Sequence, residues 1–264
     1  MKNNKIELYG FNNLTKSLSF NIYDVCYADT PKEQEEYIRY INKQYNSERL
    51  ITILYQVTEL IGAHVLSVSK QDYEPQGASV TFLISSGEDD SKKDLSLEEI
   101  MSETVVAHLD KSHVTVHTYP EYHPHHSIST FRVDIDVSTC GEITPLKTLN
   151  YLIHSFDSDI ITIDYRVRGF TRDLNGKKNF LDHTIYSIQD FIDEEILPQY
   201  QASDINIEQY NLFHTKMMIN TIVLQNYLFN IDANSLPQEK QDKIKDLLYK
   251  EMSEIFSGQN IYQY

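Results

Sequence analysis

The sequence is short of the features that would assign it quickly. It has no run of about eighteen apolar residues, the length a membrane-spanning helix requires, so no membrane partner is expected. It has no basic excess: 39 acidic residues stand against 23 basic ones, a formal charge of −16. A protein that tracks nucleic-acid phosphates carries a basic face, so nucleic acid is not an expected partner. A cationic substrate is compatible with the charge, although the charge alone implies no more than solubility. Only two cysteines occur, Cys26 and Cys140, too few for a disulfide framework. Met1 to Lys5 leads into Ile6-Glu7-Leu8-Tyr9 without the apolar core of a secretory signal. The cytoplasm is therefore the expected compartment, with both thiols reduced. There is no repeat of fixed period, no low-complexity tract, no G-x-S-x-G elbow and no glycine-rich phosphate loop. Neither an elbow-type hydrolase nor nucleotide-phosphate binding by that route has support.

What is present suits a folded core. Apolar residues make up 41% of the 264 positions, ordinary for a globular chain. No polar stretch is long enough to separate domains, so residues 1–264 are expected to form one. Residues 32–61 read as helix: Pro31 stands near the start, Tyr37, Ile38, Ile41 and Tyr45 recur at helical spacing, and Gly62 ends it. Extended segments follow at 63–69, 78–85, 113–117 and 130–137. In the last, Phe131, Val133, Ile135 and Val137 alternate with Arg132, Asp134 and Asp136, the pattern of a half-buried strand. Residues 145–156 read as helix, 159–167 as strand and 238–256 as an amphipathic helix, with loops at 85–94 and 121–129. Residues 170–236 give no clear period. Successive strands with short connections predict an α/β (α+β) sandwich, a mostly antiparallel sheet with helices covering one face.

The histidines cluster at 108, 113, 117, 123, 125 and 126, which raises a metal-dependent hydrolase as one candidate. His113 and His117 are separated by Val-Thr-Val, which is strand sequence, and on a strand they lie about 13 Å apart, too far for one zinc. No metal ligand is assigned. Ser112, His117 and Cys140 suggest nucleophilic chemistry, but from spacing alone each reads as a structural residue.

Two stretches in combination are more specific: Asp110-Lys111-Ser112-His113-Val114-Thr115-Val116-His117-Thr118-Tyr119-Pro120-Glu121-Tyr122, then Asp134-Ile135-Asp136-Val137-Ser138-Thr139-Cys140-Gly141. With Tyr73-Glu74-Pro75-Gln76-Gly77-Ala78-Ser79 upstream, they resemble the pyruvoyl-dependent S-adenosylmethionine decarboxylase family. The start (Tyr9 to Lys16) and the segment Thr162 to Asp173 resemble its longer, enterobacterial-type subgroup, so the likeness spans nearly the whole chain. Compact bacterial members match only about residues 63–168.

The resemblance implies a proenzyme that cuts itself between Lys111 and Ser112 into a β chain, 1–111, and an α chain, 112–264. The Ser112 hydroxyl would attack the Lys111 carbonyl to give an ester. Loss of the serine α-proton would eliminate the ester, and the dehydroalanine left would hydrolyse to a pyruvoyl group and ammonia. His117 matches the processing base, and Ser79 a serine that assists processing. The pyruvoyl ketone would hold the substrate's amine as a Schiff base and accept electrons as carbon dioxide leaves. Cys140 matches the proton donor to the resulting carbanion. Glu121 matches the residue that binds the ribose hydroxyls, and Tyr73 and Tyr119 match the rings around adenine. A related compact form has tryptophan where Tyr119 stands, so the stacking face is smaller here. The resemblance further implies two chains that stay together, a homo-oligomer of such pairs, magnesium as an activator, and a product used in spermidine synthesis. A catalytically inactive regulatory relative stays an alternative, although it would be expected to lack Ser112 or Cys140.

Overall fold

A computed structural model describes residues 7–85 and 112–261. Lys111, His108 and the polar loop from 86 to 94 lie outside the described residues. Eight strands form one antiparallel sheet: β1 (Thr15–Tyr27), β2 (His64–Asp72), β3 (Ala78–Ser85), β4 (Ser112–Tyr122), β5 (Ile128–Cys140), β6 (Ile160–Arg168), β9 (Tyr200–Asp204) and β10 (Leu212–Ile219). Their order across the sheet is β2-β3-β4-β5-β1-β6-β10-β9. The small strands β7 (Thr171–Arg172) and β8 (Lys178–Asn179) pair apart from it.

Strand period 2 gives the sheet two different faces. On one, Leu18, Phe20 and Ile22 of β1 line up with Val137, Ile135 and Val133 of β5 and with Tyr165, Ile163 and Ile161 of β6, all buried. Helices α1 (Pro31–Gln44) and α2 (Ser47–Leu60), with the short α3 (Leu149–Ser155), close over that face. Each large aliphatic or aromatic side chain so buried contributes on the order of 2 kcal/mol. The expected α/β sandwich is therefore present. It has one addition: α4 (Gln238–Ser257) packs on the opposite face at one end of the sheet, where Ile244, Leu248 and Met252 bury Val25, Tyr27, Ile128, Ile160 and Met218. Elsewhere that second face carries many polar side chains, among them His117, Asp134 and Asp164.

The helix expected over 32–61 is two helices. Thr30 and Glu33 form a capping box that starts α1, with Pro31 in its first turn. The Asn46 side chain then accepts from Arg49 N and caps a new helix. The break at Tyr45-Asn46 folds α2 back over the sheet. Strand β1, at the centre of the sheet, was not anticipated from the sequence, although Leu18, Phe20 and Ile22 alternate with polar residues. The expected loop at 121–129 is shorter, because β4 runs on through Tyr122 and β5 begins at Ile128. Among the described residues, no helix is long and apolar enough to cross a membrane.

Candidate active site

Ser112 opens β4 and Cys140 closes β5, and the two strands pair antiparallel. This places both residues at one end of the sheet, with Ser112 Oγ 3.6 Å from Cys140 Sγ. Ser112 is buried and Cys140 is exposed. A hydroxyl and a thiol share the end of a strand pair, with the thiol open to an incoming ligand.

The other expected residues gather elsewhere, on the polar face. His117 of β4 stands opposite Ser79 of β3 on one side and Asp134 of β5 on the other. Cross-strand partners of this kind have side chains in contact range. The Tyr73 hydroxyl lies 2.8 Å from Ser79 Oγ. Arg132 pairs with Asp134 at 3.2 Å and stacks its guanidinium 4.1 Å from the centre of the Tyr119 ring. Glu121 follows on the same face of β4, which puts Tyr119 and Glu121 in one row with His117. Tyr73 and Tyr119 both keep free ring surface, being 41% and 43% exposed.

The turn that carries Tyr73 is sewn to β4. Tyr73 N donates to Gly77 O, Asn42 Oδ1 accepts from Gly77 N, and Ala78 N donates to Thr118 Oγ1 at 2.7 Å. Gly77 has φ +92°, and a Cβ there would stand 2.6 Å from the Thr118 carbonyl oxygen. Only glycine fits that approach.

The structure therefore brings the expected residues together in two groups rather than one. Ser112 and Cys140 form the first; Ser79, His117, Tyr73, Tyr119 and Glu121 form the second. Five strand steps separate Ser112 from His117, about 16 Å.

Behind Cys140 lies a set of residues that sequence reasoning missed. Lys16 is 1% exposed. Its Nζ donates to the Gly141 carbonyl at 3.0 Å and to Asp182 Oδ2 at 2.6 Å. Asn12 Nδ2 donates to the same oxygen at 2.6 Å, and His183 Nδ1 lies 2.7 Å from Asp182 Oδ1. Burial opposes ionisation of Asp182, yet the hydrogen bonds from His183, Lys16 and Asn12 and the Lys16 charge outweigh it and hold the carboxyl well below the ordinary range. A signal was available: in the series Leu14, Lys16, Leu18, Phe20, Ile22, a lysine occupies the apolar phase of a strand.

The histidine loop does not make a metal centre. His123, His125 and His126 have rings 5.5 and 5.8 Å from one another, and His123 Nδ1 is taken by the His125 amide. Among the described residues, no group of three or more His, Cys, Asp or Glu side chains is placed to hold a metal ion.

Comparison with known proteins bears on the family of the chain. The family model described as S-adenosylmethionine decarboxylase matches residues 41–169. The S-adenosylmethionine decarboxylase proenzyme of Clostridium botulinum (strain Eklund 17B / Type B) is 65% identical, over 98% of this chain and 98% of its own. That of Alkaliphilus oremlandii is 64% identical over the same shares, and that of Hahella chejuensis 60% identical over 97% of this chain and 98% of its own. The solved adenosylmethionine decarboxylase of Aquifex aeolicus is 18% identical, covers 60% of this chain and 90% of its own, and superposes with a TM-score of 0.32, too slight a likeness to bear on the site. Identity of this degree along nearly the entire length decides membership: the chain belongs to the S-adenosylmethionine decarboxylase family.

Proposed function

We propose that this protein decarboxylates S-adenosylmethionine after cutting itself before Ser112. The observation that carries the proposal is the 3.6 Å approach of Ser112 Oγ to Cys140 Sγ, in a chain 65% identical over 98% of its length to a named proenzyme.

The residues present suit a pyruvoyl group made from Ser112. The position is buried at a strand start, and the Cys140 thiol lies 3.6 Å from its side chain. When bound, such a group supplies an electron sink for the pair left as carbon dioxide departs. Cys140 delivers a proton from Sγ at the carbon that lost the carboxylate. Tyr73 and Tyr119 offer exposed ring faces to the adenine and to the positive sulfonium, and Glu121 accepts from the ribose hydroxyls. Ser79 and His117, facing each other across β3 and β4, assist the cutting reaction.

His117 cannot reach the Ser112 of its own chain across about 16 Å. We therefore include a homo-oligomer in the proposal, with His117 and Ser79 of one copy serving Ser112 and Cys140 of another. The single domain 1–264 would become two chains in one sheet, since β3 precedes the cut and β4 follows it. The cytoplasm is the proposed compartment, where Cys26 and Cys140, both free, stay reduced. Magnesium, implied by the subgroup resemblance, has no fitting ligand set among the described residues, and no step is assigned to it.

The test is the intact mass of the denatured protein. Two chains split between Lys111 and Ser112, the second lighter by one ammonia than a serine start requires, together with carbon dioxide release from S-adenosylmethionine, are expected. A single uncut chain that still releases carbon dioxide would remove the proposed cofactor.

A further inference from the structure

Gly141, the residue after Cys140, is tied to β1 by both of its backbone polar groups. Its N–H donates to the Leu14 carbonyl at 3.0 Å, and its C=O accepts from Lys16 Nζ at 3.0 Å. At φ +73° the chain leaves β5 here, and no further ladder bonds hold it. The Lys16 ammonium is thus one of two ties on the residue next to the thiol-bearing one. Its charge is met by Asp182, which Asn12 and His183 hold in turn, and His183 Nε2 reaches the Tyr165 hydroxyl at 3.3 Å.

Stability alone does not account for this pair. A buried ion pair is usually replaceable by apolar residues of similar volume without loss, and the neighbours of Lys16 along the same face of β1 are Leu14 and Leu18. What an apolar side chain could not do is hold the Gly141 carbonyl.

We infer that Lys16 and Asp182 are positioning residues for Cys140: they fix the backbone of Gly141, and through it the place of the thiol beside residue 112. The inference rests on Cys140 being the proton donor proposed above. It also gives a function to part of the segment after β8, which reaches back across the molecule to supply Asp182.

The deciding variant is the double substitution Lys16→Met with Asp182→Asn. It removes both charges together, so no buried charge is left alone, yet the Gly141 carbonyl loses its donor. Two readouts are taken on the full-length protein: the kcat and KM for S-adenosylmethionine, and the rate at which iodoacetamide alkylates Cys140, located by peptide mass. The second needs no turnover and is measurable whether or not the chain has cut itself. Expected are a KM within about threefold of wild type, a kcat lower by about tenfold to a hundredfold, and a changed Cys140 alkylation rate. Wild-type kcat and wild-type alkylation in the double variant would overturn the inference. Should the double variant not fold, Asp182→Asn alone, which has the shape of aspartate but takes away the counter-charge that holds the Lys16 ammonium, is read the same way: a lower kcat at unchanged KM supports positioning, and wild-type values overturn it. Cys140→Ala runs beside them. Wild-type turnover there would remove the donor assignment itself, whereas an inactive Cys140→Ala with an unaffected double variant would remove only the positioning of the thiol by Lys16 and Asp182.

Discussion

Tyr227 donates its hydroxyl to Asp159 Oδ1 at 2.7 Å, in a cavity that also takes in Asp24, Asp157, Tyr37, Tyr45 and Tyr200. Asp159 also accepts from Val25 N at 2.8 Å, and Asp24 accepts from the Tyr37 hydroxyl at 3.4 Å. Burial, then the charges of Asp159 and Asp157, lifts Asp24 well above the ordinary carboxylate range. Burial likewise lifts Asp159 to about 6.

Carboxyls raised in the folded state stabilise it fully below their unfolded value, near 4, and that stability is lost as pH rises through about 6. Asp24→Asn removes one of the two buried acids whose ionisation burial opposes. The variant should be more stable than wild type at pH 8, with the gap closing toward pH 4. Denaturant melts of both proteins across that range check this. A gap independent of pH would mean that Asp24 is not raised in the folded protein.

Ser112→Ala should remain one uncut, inactive chain, since no ester to Lys111 can form. Cys140→Ala should still cut itself but lose turnover by about a hundredfold or more. Mass and carbon dioxide release separate the two. Cleavage of the Ser112→Ala chain would sink the cofactor assignment.

The two groups of site residues give a complementation test. Ser112→Ala and His117→Ala chains, each expected to stay uncut alone, are co-expressed with different tags. The chain that keeps Ser112 should then be cut, because its partner supplies His117. If neither tag yields fragments, the proposed sharing between copies is wrong.

Gly77→Ala should cost about 1–3 kcal/mol, because its Cβ meets the Thr118 carbonyl at a φ that disfavours side chains. As the turn shifts, Tyr73 moves with it, so KM should rise as well. A thermal melt and a KM measurement check both effects. An unchanged melting temperature would show slack in the turn.

Much of the fold was legible where periodicity is strong. The alternation from Phe131 to Val137 marks β5, and Ile244, Leu248 and Met252 mark α4, found at Gln238–Ser257. The break between α1 and α2 was not, because Tyr45-Asn46 contains neither glycine nor proline and the apolar spacing runs across it. Much of the chain between 170 and 236 is short 3-10 turns and side-chain-to-backbone bonds, such as Asn211 to Phe180 and Asn220 to Pro198, which carry no period. The candidate site was legible as residues but not as a place. Sequence order put Ser112 and His117 near each other, whereas extended backbone holds them apart. Lys16 and Asp182, 166 positions apart, meet only through tertiary folding.

Strand β1 lies between β5 and β6, hydrogen-bonded along both edges. A cut before Ser112 would leave β1, β2 and β3 on one piece and both neighbours of β1 on the other. The uncut chain assembles this sheet by itself, at a rate that does not depend on how much protein is present. The cut pair, once melted, would have to find each other and thread the middle strand back in, a second-order process in competition with aggregation. Cleavage would thus act as a ratchet on folding, and a melted mature enzyme would be replaced by new synthesis rather than recovered.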